Sequence, residues 1–297
     1  FMMNFVAYYL TGFVGVLVVT ASSFSMFMRI WDGVTDPFIG YVVDKTNGKF
    51  GKNRPFMVIG NVILCVTSFI LFHVTHLLPE STPIRFGFFI VVAALYYIGY
   101  TFQCVVTKSA QTCLTNDPKQ RPLFSVFDAV YNTILFTVMA IVAANLGTKY
   151  GSMSDTGVFH ELWLLTAICS AIFTVIAVIS IAPKDRTEFF GTGKVVRVGL
   201  KDYWDTLKNN RAIQMLIVSA STDKLATSAK TSTVTLVLFA VLAGNYSLQG
   251  SLTGIISFIS LPIMIVLISS LATKLGQRKA MLIGSIGGIF VNLALIL

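Results

Sequence analysis

The sequence predicts an all-α membrane protein, on three observations. Apolar residues make up 55% of the 297-residue chain and charged residues only 12%, with a mean hydropathy of +0.78, whereas a soluble domain carries about 25% charged residues. Apolar stretches recur along the whole chain at lengths that suit the roughly 20 residues a helix needs to cross a bilayer. The basic residues gather in alternate connections, as the positive-inside rule requires of a multi-pass protein. A soluble globular fold is excluded on composition alone.

Nine stretches qualify in chain order, at residues 1–12, 16–44, 56–78, 86–114, 123–148, 162–182, 212–243, 249–273 and 280–297. All but the first and last are long enough to span. Both ends fall inside apolar runs and no basic leader precedes Phe1, so the sequence reads as a window on a longer protein. If the connections 45–54, 116–121, 183–211 and 274–279 share one side, they hold 16 of the 22 Lys and Arg, and that side is cytoplasmic. The net charge of +9 then reflects topology and contact with anionic lipid headgroups, and nucleic-acid binding is not the reading.

The one long polar segment divides the chain. Residues 1–182 form a six-helix bundle with its first helix truncated, 183–211 a cytoplasmic linker, and 212–297 the first part of a second six-helix bundle. Within the linker, Val198, Leu200, Tyr203, Trp204 and Leu207 recur at helical spacing among charged residues, which suits an amphipathic helix on the membrane surface. A weak internal echo supports the division. Asp44 to Arg54 and Thr273 to Lys279 are both short, basic, glycine-containing turns at equivalent places in the two halves, as parallel repeats would give.

The most informative segment is Arg29-Ile-Trp-Asp-Gly-Val-Thr-Asp-Pro-Phe-Ile-Gly40, inside the second apolar stretch. Positions 29, 32 and 36 fall on one face of a helix, so Arg29, Asp32 and Asp36 make a single stripe. A charge at mid-membrane costs roughly 2.5–3.5 kcal/mol on insertion scales, so such a stripe faces protein or a wet cavity. Two carboxylates one turn apart repel unless a cation or a proton neutralises one, which makes Asp32 and Asp36 a plausible ion-coupling pair. Their oxygens suit a hard cation such as Na⁺. Pro37 removes a helix hydrogen bond, and Gly33 and Gly40 allow close backbone approach, so a local break could add carbonyl ligands. The alternative is that Arg29 pairs with Asp32 structurally and Asp36 is protonated.

Cys65, Cys104, Cys113 and Cys169 show no paired or CxxC spacing and read as small buried hydrophobes, with neither a disulfide nor a metal site implied. His73 and His76 lie three apart near an outer helix end, with no third ligand nearby in sequence, and read as interfacial polar residues. No GxSxG, HExxH or Walker-type sequence is present, so an enzyme is not expected.

The stripe segment, followed by Gly48-Lys-Phe-Gly-Lys-Asn-Arg-Pro55, resembles the second helix and following loop of the melibiose-permease-like glycoside–pentoside–hexuronide:cation symporters of the major facilitator superfamily. The resemblance implies a two-lobed, twelve-helix fold that moves sugar by alternating access. It implies Asp32 and Asp36 as cation ligands, with Arg29 and Trp31 beside them, and Asp44, Lys52 and Arg54 in a cytoplasmic gate loop. In the run Tyr100-Thr-Phe-Gln-Cys-Val-Val-Thr-Lys108, the family pattern has an aspartate and a tryptophan where this chain has Cys104 and Lys108, and Asp128 stands near a family arginine. Lys108 and Asp128 could pair across two helices, or Lys108 could contact substrate. The polar run from Ser219 to Thr235 places Asp223 and Lys230 on one face and suits a cavity wall between the halves.

The expected activity is secondary active transport of a sugar, glycoside or hexuronide with co-transported Na⁺ or H⁺, with no other cofactor, in the plasma membrane of a bacterium. Candidate substrate contacts are Arg29, Trp31, Tyr100, Lys108, Asp128, Asp223 and Lys230. A non-sugar anionic or lipid-like substrate, and a channel or nontransporting sensor, are the competing readings.

Overall fold

The computed structural model describes residues 2–46, 48–115, 120–152, 155–186, 200–229, 259 and 274–294. A 3₁₀ turn (Met2–Phe5), α1 (Val6–Tyr9) and a π-helical turn (Leu10–Val14) end at Gly15, whose φ of +79° only glycine adopts freely. There follow α2 (Val18–Lys45), α3 (Arg54–Phe69), α4 (Thr82–Leu114), α5 (Arg121–Lys149), α6 (Thr156–Ile181), α7 (Leu200–Asn209), α8 (Arg211–Ala229) and α9 (Gln277–Ala294). Regular structure among the described residues is helical, apart from one bridge between Gly48 and Gly51. The all-α expectation therefore holds.

Several helix starts follow from the local sequence. Pro55, Pro83 and Pro122 each occupy the second residue of a helix, where the missing N–H costs nothing and the fixed φ is already helical. Asp155 caps α6 by accepting from the Gly157 N–H at 2.7 Å. Segments Arg54–Leu77, Thr82–Gln111, Val126–Lys149 and Thr156–Ile181 are long and apolar enough to cross a membrane. The first of these continues α3 through a π-helical turn (Ile70–Val74) and a 3₁₀ turn (Thr75–Leu77). Helix α2, with 28 residues and so about 42 Å of length, exceeds the hydrocarbon thickness of about 30 Å. Its apolar run is interrupted by Arg29, Asp32 and Asp36.

The chain divides into two compact units, residues 1–190 with 256–297, and residues 191–255. In the first unit α4 packs against both α2 and α3, and α6 against α3 and α5. Tyr9, Met28, Phe72, Phe89, Phe159 and Leu162 form the centre of the larger core. Tyr9 meets the edges of Phe72 and Phe159 with centroids 5.1 and 5.0 Å apart, a favourable aromatic geometry. A smaller cluster around Ile39, Val43, Phe56, Val106 and Ile181 fastens the other end. The closest helix contact joins α3 and α4, where a side chain on Gly99 would meet Ile63 at 2.7 Å and one on Gly60 would meet Phe102 at 3.0 Å. Small residues let membrane helices approach in this way. Ile168, Ile172, Val175 and Ile179 of α6 point outward, which is stable where the solvent is lipid.

In the second unit Asn210 caps α8 by accepting from the Ala212 and Ile213 N–H groups at 3.1 and 3.3 Å. Gln214 donates back to the Leu207 carbonyl at 2.9 Å, holding α7 against α8. The amphipathic segment expected around Val198 to Leu207 is described from Leu200, with Trp204 exposed. The stretches 230–258 and 260–273, Lys230 included, lie outside the described residues.

Candidate functional site

Helices α2 and α4 meet through polar groups. The Trp31 indole donates to the Ala94 carbonyl at 3.1 Å. The Thr101 hydroxyl donates to Asp32 Oδ1 at 3.0 Å and lies 3.4 Å from the Thr35 hydroxyl, which donates to the Asp32 carbonyl at 3.1 Å. Asp32 is the shielded member of the stripe, its side chain 16% exposed against 65% for Arg29. The Arg29 guanidinium stays 4.0 Å from Asp32 Oδ2, beyond hydrogen-bond reach. One turn further, Asp36 is exposed on α2. Among the described residues, Asp32 thus has one oxygen held by a hydroxyl and the other with the Arg29 guanidinium at 4.0 Å. A half-shielded carboxylate in this condition is stabilised by taking up a cation or a proton.

Oxygen atoms of Asp32, Thr35 and Thr101 come together where α2 meets α4, with Asp36 one turn farther along α2; oxygen donors of this kind are the type hard cations take. Among the described residues, no group of three His, Cys, Asp or Glu side chains converges to hold a resident metal ion.

One feature expected of α2 is corrected by the structure. The helix runs unbroken from Val18 to Lys45 with Pro37 inside it. Among the described residues, a side chain built on Gly33 or Gly40 would meet nothing within 4 Å, whereas Gly60 and Gly99 lie where α3 and α4 press together.

Farther along α4 the Lys108 ammonium lies 3.2 Å from Asp128 Oδ2 on α5, and Asn132 donates to Asp128 Oδ1 at 3.0 Å. The pair is open, with the two side chains 69% and 36% exposed. Tyr100, also exposed, immediately precedes Thr101 on α4. Asp223 falls on α8, in the second unit. In the turn between α2 and α3, Lys52 donates to Asp44 at 2.7 Å, while Arg54 turns away from both toward Asp185.

Three participants escape the sequence reading. Thr101 is one threonine among many, although its place seven residues before Lys108, with Ala94 seven earlier again, puts all three on one face of α4. Asp185 looked like an ordinary linker charge. His160 stacks on His73 with centroids 4.1 Å apart and lies 5.4 Å from His76, a neighbour from distant sequence. The parallel rings of His73 and His160, 12° apart, do not converge on a common point, so the cluster is packing and not a metal centre. Cysteines are unpaired as expected, but Cys104 is exposed and the other three only half-buried.

Comparison with known proteins settles the family. The family described as MFS/sugar transport protein matches residues 1–297. This chain belongs to that family. The glucuronide carrier protein homolog of Escherichia coli K12 is 25% identical over 301 residues, covering 96% of this chain and 60% of the relative. The lactose permease of Leuconostoc lactis is 24% identical over 250 residues, 81% of this chain and 39% of the relative. The isoprimeverose transporter of Lactiplantibacillus pentosus is 25% identical over 297 residues, 98% of this chain and 59% of the relative. The chain thus spans at most about three-fifths of the length of these relatives. No solved structure matches it significantly. As a member of this family with apolar spanning helices, it is a multi-pass integral protein of the plasma membrane.

Proposed function

We propose that the protein is a secondary active transporter that couples movement of a sugar or glycoside to Na⁺ or H⁺ by alternating access. The carrying observation is Asp32, a shielded carboxylate that accepts from the Thr101 hydroxyl and has the Arg29 guanidinium only at 4.0 Å, one turn from the open Asp36. Binding an ion there neutralises a costly charge on the helix that packs on α4, and α4 carries Lys108 about two turns away. Ion and sugar would thereby favour the same conformation, and linkage makes the effect mutual. The relatives carry names of both neutral and acidic sugars. Here Asp128 already neutralises Lys108, so a hexuronide carboxylate would have to displace it, and a neutral glycoside is the favoured substrate class.

On this reading the second half begins at residue 212, the segment 183–211 links the two lobes, and the basic side is cytoplasmic. Arg29, Trp31 and Tyr100 flank the ion and sugar path, with Asp223 and Lys230 contributed by the second half. Asp44, Lys52 and Arg54 form the gate loop. Lipid surrounds the spans, and no catalytic role or nucleic-acid partner is assigned.

The test is uptake of labelled α-galactoside and glucuronide by membrane vesicles carrying the full-length protein, under an inward Na⁺ gradient or a pH gradient. Accumulation under either gradient, reduced by Asp36→Asn to downhill flux alone, is the expected result. Failure of both sugars to accumulate under any gradient would sink the proposal.

A further inference from the structure

Where α6 ends, the Ile181 carbonyl accepts from the N–H groups of both Lys184 and Asp185, at 2.9 and 2.8 Å, and turns the chain back toward the start of α3. Asp185 arrives there fully buried. Its Oδ1 accepts from the Lys52 N–H at 3.0 Å, and its Oδ2 from the Asn53 and Arg54 N–H groups, each at 3.0 Å. The Arg54 guanidinium closes the arrangement, with Nη2 donating to the Asp185 carbonyl at 3.0 Å and Nε 3.6 Å from Oδ2. Three successive N–H groups at a helix N-terminus are a site for an anion, and here the chain supplies its own. Gly51, at φ +86°, completes the cradle: a side chain on it would collide with the Asp185 carboxylate.

A cap on α3 alone could come from any nearby Ser, Thr, Asp or Asn, as Asp155 does for α6. This carboxylate comes from more than 130 residues away in sequence and reaches the turn that follows the ion-binding helix α2. It therefore ties α2, α3 and α6 together at one end of the bundle.

We propose that Asp185 is a positioning residue of the transport cycle, a clamp that fixes the α2–α3 turn to the end of α6 so that a change at Asp32 and Asp36 is passed on by a rigid turn. The role rests on the transport reading above; the clamp itself does not. Asp185→Asn keeps the volume but turns an amide toward N–H donors. Gly51→Ala attacks the same contact from the opposite side.

The experiment uses full-length protein in inside-out vesicles. Limited trypsin digestion followed by mass spectrometry measures cutting after Lys49 and Lys52, and sugar uptake is measured in parallel. Asp185→Asn should speed cutting by at least about five-fold, since the turn then opens locally. Maximal uptake should fall about ten-fold with KM changed less than about two-fold, because the substrate contacts lie elsewhere. Gly51→Ala should reproduce both effects, and the double variant should be no worse than either single one, as expected for residues acting through one contact. If Asp185→Asn does not reach the membrane, Gly51→Ala decides alone. Unchanged cutting overturns the clamp. Faster cutting with normal uptake overturns its role in transport. Absence of uptake in the parent protein defeats the transport reading and with it that role, while the cutting rates still decide the clamp.

Discussion

Helix α4 meets its two neighbours in opposite ways. Toward α3 it presents Gly99, and Gly60 answers from the other side, so backbones touch and Phe56 stacks on Phe102 at 5.5 Å. Gln103 adds a bond to the Met57 carbonyl at 2.7 Å. Toward α2 it presents Ala94 and Thr101, which receive an indole N–H and reach a carboxylate. The first seam is held by fit and has one good arrangement. The second is held by a few hydrogen bonds around a charge, and its best arrangement changes when that charge is neutralised. A carrier needs both kinds, a frame that does not yield and a contact that responds to its ion.

The largest effect is expected from removing the responsive charge. Asp32→Asn should lower concentrative sugar uptake by about 100-fold or more, equivalent to about 2.7 kcal/mol of coupling, while downhill exchange persists; loss of both together would mean that Asp32 supports the fold instead. Next comes the rigid seam. Gly99→Val should destabilise the bundle by about 1–3 kcal/mol through overpacking, read as a lower thermal midpoint in detergent micelles. An unchanged midpoint would show that the α3–α4 contact is looser than described.

Smaller changes sharpen the contrast. Thr101→Val removes a close donor to Asp32, so the ion concentration for half-maximal uptake should shift by about five- to ten-fold, consistent with a charged hydrogen bond of about 1.5–3 kcal/mol partly replaced by the ion. Thr101→Ser should restore it. Lys108→Gln, at an open pair, should alter stability by less than about 1 kcal/mol. If Lys108 meets substrate, the variant raises the sugar KM without moving the ion dependence, and a shift in ion dependence alone would assign it to the ion path.

The stripe on α2 was legible because helical period alone puts Arg29, Asp32 and Asp36 on one face, and a charge in an apolar run announces itself. The paired charges Lys108 and Asp128 could be suspected for the same reason. The apolar stretches expected from 56, 86 and 123 match helices that start at Arg54, Thr82 and Arg121. Partners from distant sequence were not legible. Thr101 looks like any helix threonine until α2 lies beside it, His160 is 84 or more residues from the histidines it joins, and Asp185 sits in a run of linker charges. Glycine is a case in point. Among the described residues nothing lies within 4 Å of a side chain built on Gly33 or Gly40 in the signature segment, whereas Gly60 and Gly99, in unremarkable sequence, carry a tight crossing. Which glycine is needed depends on the neighbour, and no local pattern states the neighbour.

The indole of Trp31 has one further consequence. The chain holds three tryptophans: Trp31 in the α2–α4 seam, Trp163 on α6 donating to Ser68 at 3.1 Å, and Trp204 exposed on α7. Each indole therefore samples a different part of the molecule, the responsive seam, the fixed frame and the second unit. Variants that keep one tryptophan and replace the others with phenylalanine would give three intrinsic optical reporters, so that emission colour and quenching follow ion binding, frame integrity and α7 separately, without an attached dye.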